Sequence, residues 1–171
     1  MIMLNGRLEE EGFRLVKVPG DGNCQFHAVL SQLPDMGVDH LELRQMVVNH
    51  LAEREQFFSM YPEKVRGYKH YLAYIATPGE GWGDELTLMA LATILMRPIV
   101  VINGRPVLSF KQTVHPVNVA KSLWQERIVL AHHYPVHFDA TEVVEASPDL
   151  GPCQTCQEFG QESCSTHSPH Q

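Results

Sequence analysis

Cys24 stands apart from the other three cysteines of the chain, Cys153, Cys156 and Cys164, which crowd its end. It follows the run Pro19-Gly20-Asp21-Gly22-Asn23 and precedes Gln25-Phe26-His27-Ala28. Gly20 and Gly22 leave the backbone free to wrap closely around a substrate. Phe26, Val29, Leu30 and Leu33 then recur at helical spacing until Pro34. Cys24 therefore falls in or near the first turn of an amphipathic helix. Unpaired N–H groups and the positive end of the macrodipole gather there, and both favour thiolate over thiol. With a histidine nearby, the thiol is expected to titrate below its ordinary range. The same N–H groups can hold the oxyanion formed when sulfur attacks a carbonyl, which makes Asp21, Gly22, Asn23 and Cys24 the expected oxyanion loop. The structural alternative is a buried cysteine after an ordinary turn, and a short Gly-x-Gly-x-Cys does not by itself separate the two.

A nucleophilic thiol needs an imidazole to take its proton and to protonate the leaving amine. Ten histidines are present, so context must choose among them. In His137-Phe138-Asp139 the first and third residues project to the same side of a strand, so Asp139 can orient the His137 ring. His133-Tyr134 is followed by Pro135 in place of an acid. His132 and His133 read as strand-end surface residues beside the cleft. Asp21 is a turn aspartate by position, with a supporting role in shaping the loop.

The elements that must bring these residues together are helices first and strands later. Phe13 to Val18 reads as a short strand closed by Pro19-Gly20. Asp39 with Glu42 resembles a capping box, backed by the apolar stripe Leu43, Met46, Val47 and Leu51. A helix is expected from about Glu63 to Ile75, and a loop from Thr77 to Gly83. Asp84 opens a nearly all-apolar helix through about Leu95, which argues for burial. Pro98 to Ile102 is a buried-type strand. Asn103-Gly104 signals a hairpin turn with Arg105 to Phe110 returning. Ile128 to Ala131 and Val136 to Val144 complete the strands. The expected class is α+β, helices packed against a mostly antiparallel sheet. A body of residues 1–145 is followed by a Cys/His-rich tail, 146–171.

Composition narrows the function. Of 171 residues, 44% are hydrophobic and 19% charged, enough for a real core. Apolar runs such as Leu86 to Met96 are too short and interrupted to span a bilayer, and the N-terminus lacks the features of a secretory signal. A soluble intracellular protein, kept in a reducing compartment and monomeric, is expected. All 13 Lys and Arg fall in residues 1–127 against 14 acids, while residues 128–171 carry six acids and no base. No basic stripe is available for phosphates, which argues against nucleic acid as a partner.

Gly20-Asp21-Gly22-Asn23-Cys24-Gln25-Phe26 with Ala28 resembles the nucleophile motif of the ovarian-tumour (OTU) family of cysteine deubiquitinases. The family usually carries Arg where this chain has His27. Trp82-Gly83-Asp84-Glu85-Leu86 with Ala90-Leu91-Ala92 looks like its second signature, and His137-Phe138-Asp139 like its last. The resemblance covers roughly residues 13–145. It implies a papain-like fold and hydrolysis of the isopeptide bond after the C-terminal glycine of ubiquitin, polyubiquitin or a ubiquitin-like modifier, without cofactor. Cys24 is then the nucleophile and His137 the base, with Asp139 orienting; the family counts the residue at Asp21 among its catalytic set. Trp82 and Glu85 are expected to be structural, and Glu80 and Asp84 are candidates for meeting the arginines of ubiquitin's tail. The rival readings are a catalytically silent ubiquitin-binding module, a thiol peptidase with another substrate, and an adaptor acting through its tail. In that tail Cys153-x-x-Cys156 and Cys164-x-x-His167 offer four soft ligands to zinc, though the pairs are closer together than in common zinc fingers; a flexible tail is the alternative.

Overall fold

The computed structural model describes residues 2–58, 67–105 and 110–144. Helix α1 (Ile2–Glu10) leads into strand β1 (Phe13–Val16), and the nucleophile loop then feeds α2 (Cys24–Leu30). Helices α3 (His40–Glu53), α4 (Glu55–Phe58), α5 (Tyr68–Ala76) and α6 (Glu85–Leu95) follow. Strands β2 (Ile99–Asn103), β3 (Lys111–Val114), β4 (Ile128–His133) and β5 (His137–Val143) close the fold. They form one sheet in the order β1-β5-β4-β2-β3. The β2–β4 pair is parallel and the other three pairs are antiparallel, so the expected α+β class holds.

The two central strands explain the layering. In β2, Ile99 and Val101 pack into a core shared with α2, α3, α5 and α6, while Val100 and Ile102 pack into a second core under α1. β4 divides in the same way, Ile128 and Leu130 to one side and Val129 and Ala131 to the other. The apolar runs at residues 99–102 and 128–131 are therefore covered on both faces. α1 covers the second face with Leu4 and Leu8, one turn apart and both buried. Its Arg7 guanidinium also donates to the Asn103 carbonyl at the end of β2.

The helix starts follow their side chains. Asp39 accepts from Leu41 and Glu42 N–H, and Glu42 reaches back to Asp39 N–H at 2.8 Å, a complete capping box. Asp84 does the same for α6 with Thr87. The Asp84 carboxylate also accepts from the Tyr71 hydroxyl at 2.9 Å, which ties α6 to α5.

Helix α1 has no counterpart among the elements expected from the sequence. The helix expected from Glu63 to Ile75 is present as α5 from Tyr68, and residues 59–66 lie outside the described set. Asn103-Gly104 is no two-residue turn, because Gly104 N–H donates to His132 O of β4. The expected hairpin does form, with a longer connection: β2 and β3 pair antiparallel with Ile102 opposite Lys111, and Asn103 N–H donates to Phe110 O. The tail residues Cys153, Cys156, Cys164 and His167 lie outside the described residues. Among the described residues, no helix is long and apolar enough to cross a membrane.

Candidate active site

Cys24 opens α2, with Asn23 at the capping position, and its free thiol is buried at 7% exposure. The loop before it is held from three directions. Asp21 Oδ1 accepts from Asn23 N–H at 2.9 Å, a local turn that shapes the entry to the helix. Gly22 adopts φ +81°, and a Cβ there would stand 2.2 Å from Gly79 O, so the loop lies against the backbone of the α5–α6 connection.

From below, the Arg44 guanidinium on α3 donates to Gly22 O (3.0 Å), Asn23 Oδ1 (2.7 Å), Ile75 O (2.7 Å) and Gly81 O (2.5 Å). It also lies over the Phe26 ring, 4.4 Å from the centroid. Arg44 is 2% exposed. Sequence reasoning missed this residue, because an arginine on an amphipathic helix reads as part of the wet face.

The opposite wall is β5. Thr87 Oγ1 donates to Gln25 Oε1 at 2.6 Å, which locks the residue after the nucleophile to α6. The Cys24 sulfur meets the N–H of Phe138, so the thiol lies beside the peptide that links His137 to Phe138. The His137 ring also reaches the nucleophile loop: a Cβ at Gly20 would lie 4.0 Å from its Cε1. His137 Nε2 is 3.1 Å from Asp139 Oδ1, which leaves Nδ1 as the ring nitrogen able to serve a thiol. Asp139 is 4% exposed, and the same Oδ1 accepts from Val18 N–H at 2.9 Å, so the carboxylate is fixed before any substrate arrives.

His133 was expected at the surface beside the cleft, yet its Nε2 stands 2.9 Å from Asp139 Oδ2, at ion-pair distance though outside hydrogen-bond alignment. The reason is register. His133 pairs directly with His137 across β4 and β5, which places Asp139 on its diagonal. Two imidazoles therefore face one buried carboxylate.

The electrostatics differ from expectation in one respect. Burial pushes the Cys24 thiol above its ordinary value of 9.0. The N–H groups of Phe138 and Gln25 work downward, while the charges of Asp139 and Asp21 add to the upward push. Desolvation outweighs these two N–H groups, so the environment of Cys24 favours the thiol over the thiolate. Asp21 behaves oppositely. Its slight burial works upward, but hydrogen bonds from His27 and from Asn23 outweigh it and hold the carboxyl at about 2. Of the expected oxyanion loop, Asn23 N–H is already given to Asp21, leaving the amides of Asp21, Gly22 and Cys24, of which Gly22 and Cys24 flank Asn23.

A groove of about 350 Å³ adjoins Phe138, lined also by Trp82, Gly83, Leu88, Tyr134 and Val136. Trp82, expected to be structural, is 48% exposed at its rim. Glu85 lines the same groove and is exposed. Glu80 is exposed, whereas the Asp84 carboxylate is taken up by Tyr71 and the α6 cap.

Residues 19–140 match the family model described as OTU-like cysteine protease. A relative from Arabidopsis thaliana, OVARIAN TUMOR DOMAIN-containing deubiquitinating enzyme 10, is 35% identical over 138 residues, which cover 80% of this chain and 36% of that protein. The chain thus spans little more than a third of that relative's length. Among solved structures, the OTU domain of OTUD1 superposes with a TM-score of 0.67 at 24% identity, covering 82% of this chain and 93% of that one. An OTU domain in complex with ubiquitin superposes with a TM-score of 0.60 at 19% identity, covering 75% and 69%.

Proposed function

Because the chain belongs to the OTU-like cysteine protease family, we propose that it is a thiol-dependent deubiquitinase. In this reading it hydrolyses the isopeptide bond after the C-terminal glycine of ubiquitin, polyubiquitin or a ubiquitin-like modifier. One observation carries the proposal: the Cys24 sulfur sits at the peptide joining His137 to Phe138, and Nε2 of His137 is anchored by a buried carboxylate.

The chemistry follows from that placement. Cys24 rests as a thiol, so Nδ1 of His137 takes its proton as sulfur bonds to the glycine carbonyl carbon. The carbonyl oxygen becomes an oxyanion, received by the N–H groups of Gly22 and Cys24. Its collapse breaks the C–N bond, and the imidazolium returns the proton to the departing lysine amine. Water then attacks the thioester, giving its proton to His137, and a carboxylate and the free thiol result. Asp139 steadies the imidazolium in both halves, and Asp21 shapes the loop through Asn23 N–H. The groove beside Phe138, with Trp82 at its rim and the Glu85 carboxylate on its wall, is the surface we assign to the extended, arginine-bearing tail of the modifier. Turnover through a free cysteine requires that Cys24 stay reduced, and an intracellular setting suits that requirement. The reacting unit is the body of residues 1–145, and residues 146–171 are an appendage to it.

A ubiquitin C-terminal suicide probe tests the reading. It should add one ubiquitin to the wild-type chain at Cys24 and none to Cys24→Ala. A panel of diubiquitins and ubiquitin-like conjugates should then show turnover of at least one. The raised thiol titration favours a second reading, a silent ubiquitin binder, and an unlabelled wild type that still retains ubiquitin would establish that reading instead.

A further inference from the structure

Three side chains from three segments converge at the nucleophile loop. The Asp21 carboxylate, the His27 ring of α2 and the His40 ring at the start of α3 offer ligand atoms that all lie within 4.8 Å of one another. Asp21 Oδ2 is 3.0 Å from His27 Nε2. The His27 and His40 rings lie with centroids 4.1 Å apart, tilted by 33°. Two imidazoles and one carboxylate make a two-nitrogen, one-oxygen donor set, the kind that borderline transition dications take.

The dimensions fit such an ion. Bonds of about 2.0–2.2 Å in a tetrahedron place neighbouring ligand atoms roughly 3.3–3.5 Å apart. The Asp21–His27 distance opens slightly to reach that value, and rotation of the His40 ring closes the third side. Asp21 Oδ1 is committed to Asn23 N–H, which aims Oδ2 at the cluster. His27 and His40 are half-buried and Asp21 is exposed, so an ion can enter and water can fill the fourth position.

We propose that Asp21, His27 and His40 form a binding site for Zn²⁺ or a similar transition dication. The bound ion replaces the Asp21–His27 hydrogen bond and fastens the nucleophile loop and α2 to the start of α3. The site is independent of whether Cys24 turns over a conjugate.

The test uses the full chain with Cys24→Ala, Cys153→Ser, Cys156→Ser and Cys164→Ser, so that no thiol competes for the metal. Calorimetric titration with ZnCl₂ should show one equivalent bound, with affinity at least tenfold weaker after His27→Arg or His40→Ala. Absence of binding in a thiol-free chain that keeps its far-UV dichroism overturns the proposal, as does unchanged affinity in His40→Ala. In the wild-type chain, Zn²⁺ should move the imidazole ¹⁵N resonances of both His27 and His40, and resonances that stay fixed at saturation refute the site without recourse to any variant.

Discussion

Replacing Arg44 with methionine keeps the apolar length of the side chain and removes the guanidinium. Four acceptors lose their donor at once: Gly22 O, Asn23 Oδ1, Ile75 O and Gly81 O. A hydrogen bond to a charged group is worth about 1.5–3 kcal/mol, and a buried acceptor left bare costs about 1–3 kcal/mol. Against this, methionine does not pay the desolvation that pushes the Arg44 pKa downward. The four bonds share one cation and do not add independently. We therefore expect a net loss of about 3–5 kcal/mol, set by several neutral acceptors left bare and reduced by the spared desolvation. Urea unfolding followed by tryptophan fluorescence reads it directly. In a domain of this size the melting temperature should fall by about 6–20 °C, at about 2–4 °C per kcal/mol. Because two of the four acceptors belong to the nucleophile loop, suicide-probe labelling should also slow below the melting range, with ubiquitin binding little changed. An Arg44→Met variant within about 1 kcal/mol of wild type, labelled at the wild-type rate, would refute the assignment of Arg44 as the residue that positions the loop.

Other outcomes follow from the same geometry. Gly22→Ala forces a Cβ into Gly79 O at positive φ, so it should cost well over about 1 kcal/mol and abolish probe labelling; a stable, labelled variant would contradict the loop contact. Iodoacetamide alkylation of Cys24 in the free protein should keep rising with pH through 9.0, because burial holds the thiol protonated; a rate plateau reached below pH 7 would show a preformed thiolate. His137→Ala should lower kcat by about 10²–10⁴-fold, the contribution of a general base, whereas His133→Ala should leave most activity and mainly shift the pH profile; equal losses would exchange their roles. The Asp21 carboxyl is depressed from 3.8 to about 2, so its contribution to stability is full above the unfolded value and disappears as pH falls through about 2. Asp21→Asn should accordingly be less stable than wild type at pH 5 and converge on it near pH 2. As the group is largely exposed, the gap should not exceed about 1 kcal/mol.

What the sequence disclosed tracks how local each signal is. The Asp39 capping box, the Asp84 start of α6 and the pairing of His137 with Asp139 depend on neighbours two or three residues apart, and each is legible in a single window. α1 was not, because its case rests on Leu4 and Leu8 alone, and these matter only once a sheet face exists to receive them. The Asn103-Gly104 turn signal was overridden by tertiary pairing, since His132 claims the Gly104 N–H. Arg44 was missed and His133 misplaced for the same reason. Their partners, Gly22 and Gly81 for one and Asp139 for the other, become neighbours only through helix packing and strand register. The thiol titration failed to follow the motif because desolvation depends on everything packed around Cys24, which no short string encodes.

The position of β5 between β1 and β4 has a consequence for the birth of the molecule. Its sulfur is made early and its imidazole late, and the strand that bears the imidazole is the piece that joins the first strand to the rest of the sheet. A ribosome-bound chain that has not yet extruded Asp139 holds a thiol with no proton acceptor beside it, on a sheet that is still split. Such long-range closure is slow compared with helix formation. On the proposed roles of Cys24 and His137, competence to react therefore comes only once β5 has joined the sheet, and a product terminated before it would be chemically mute.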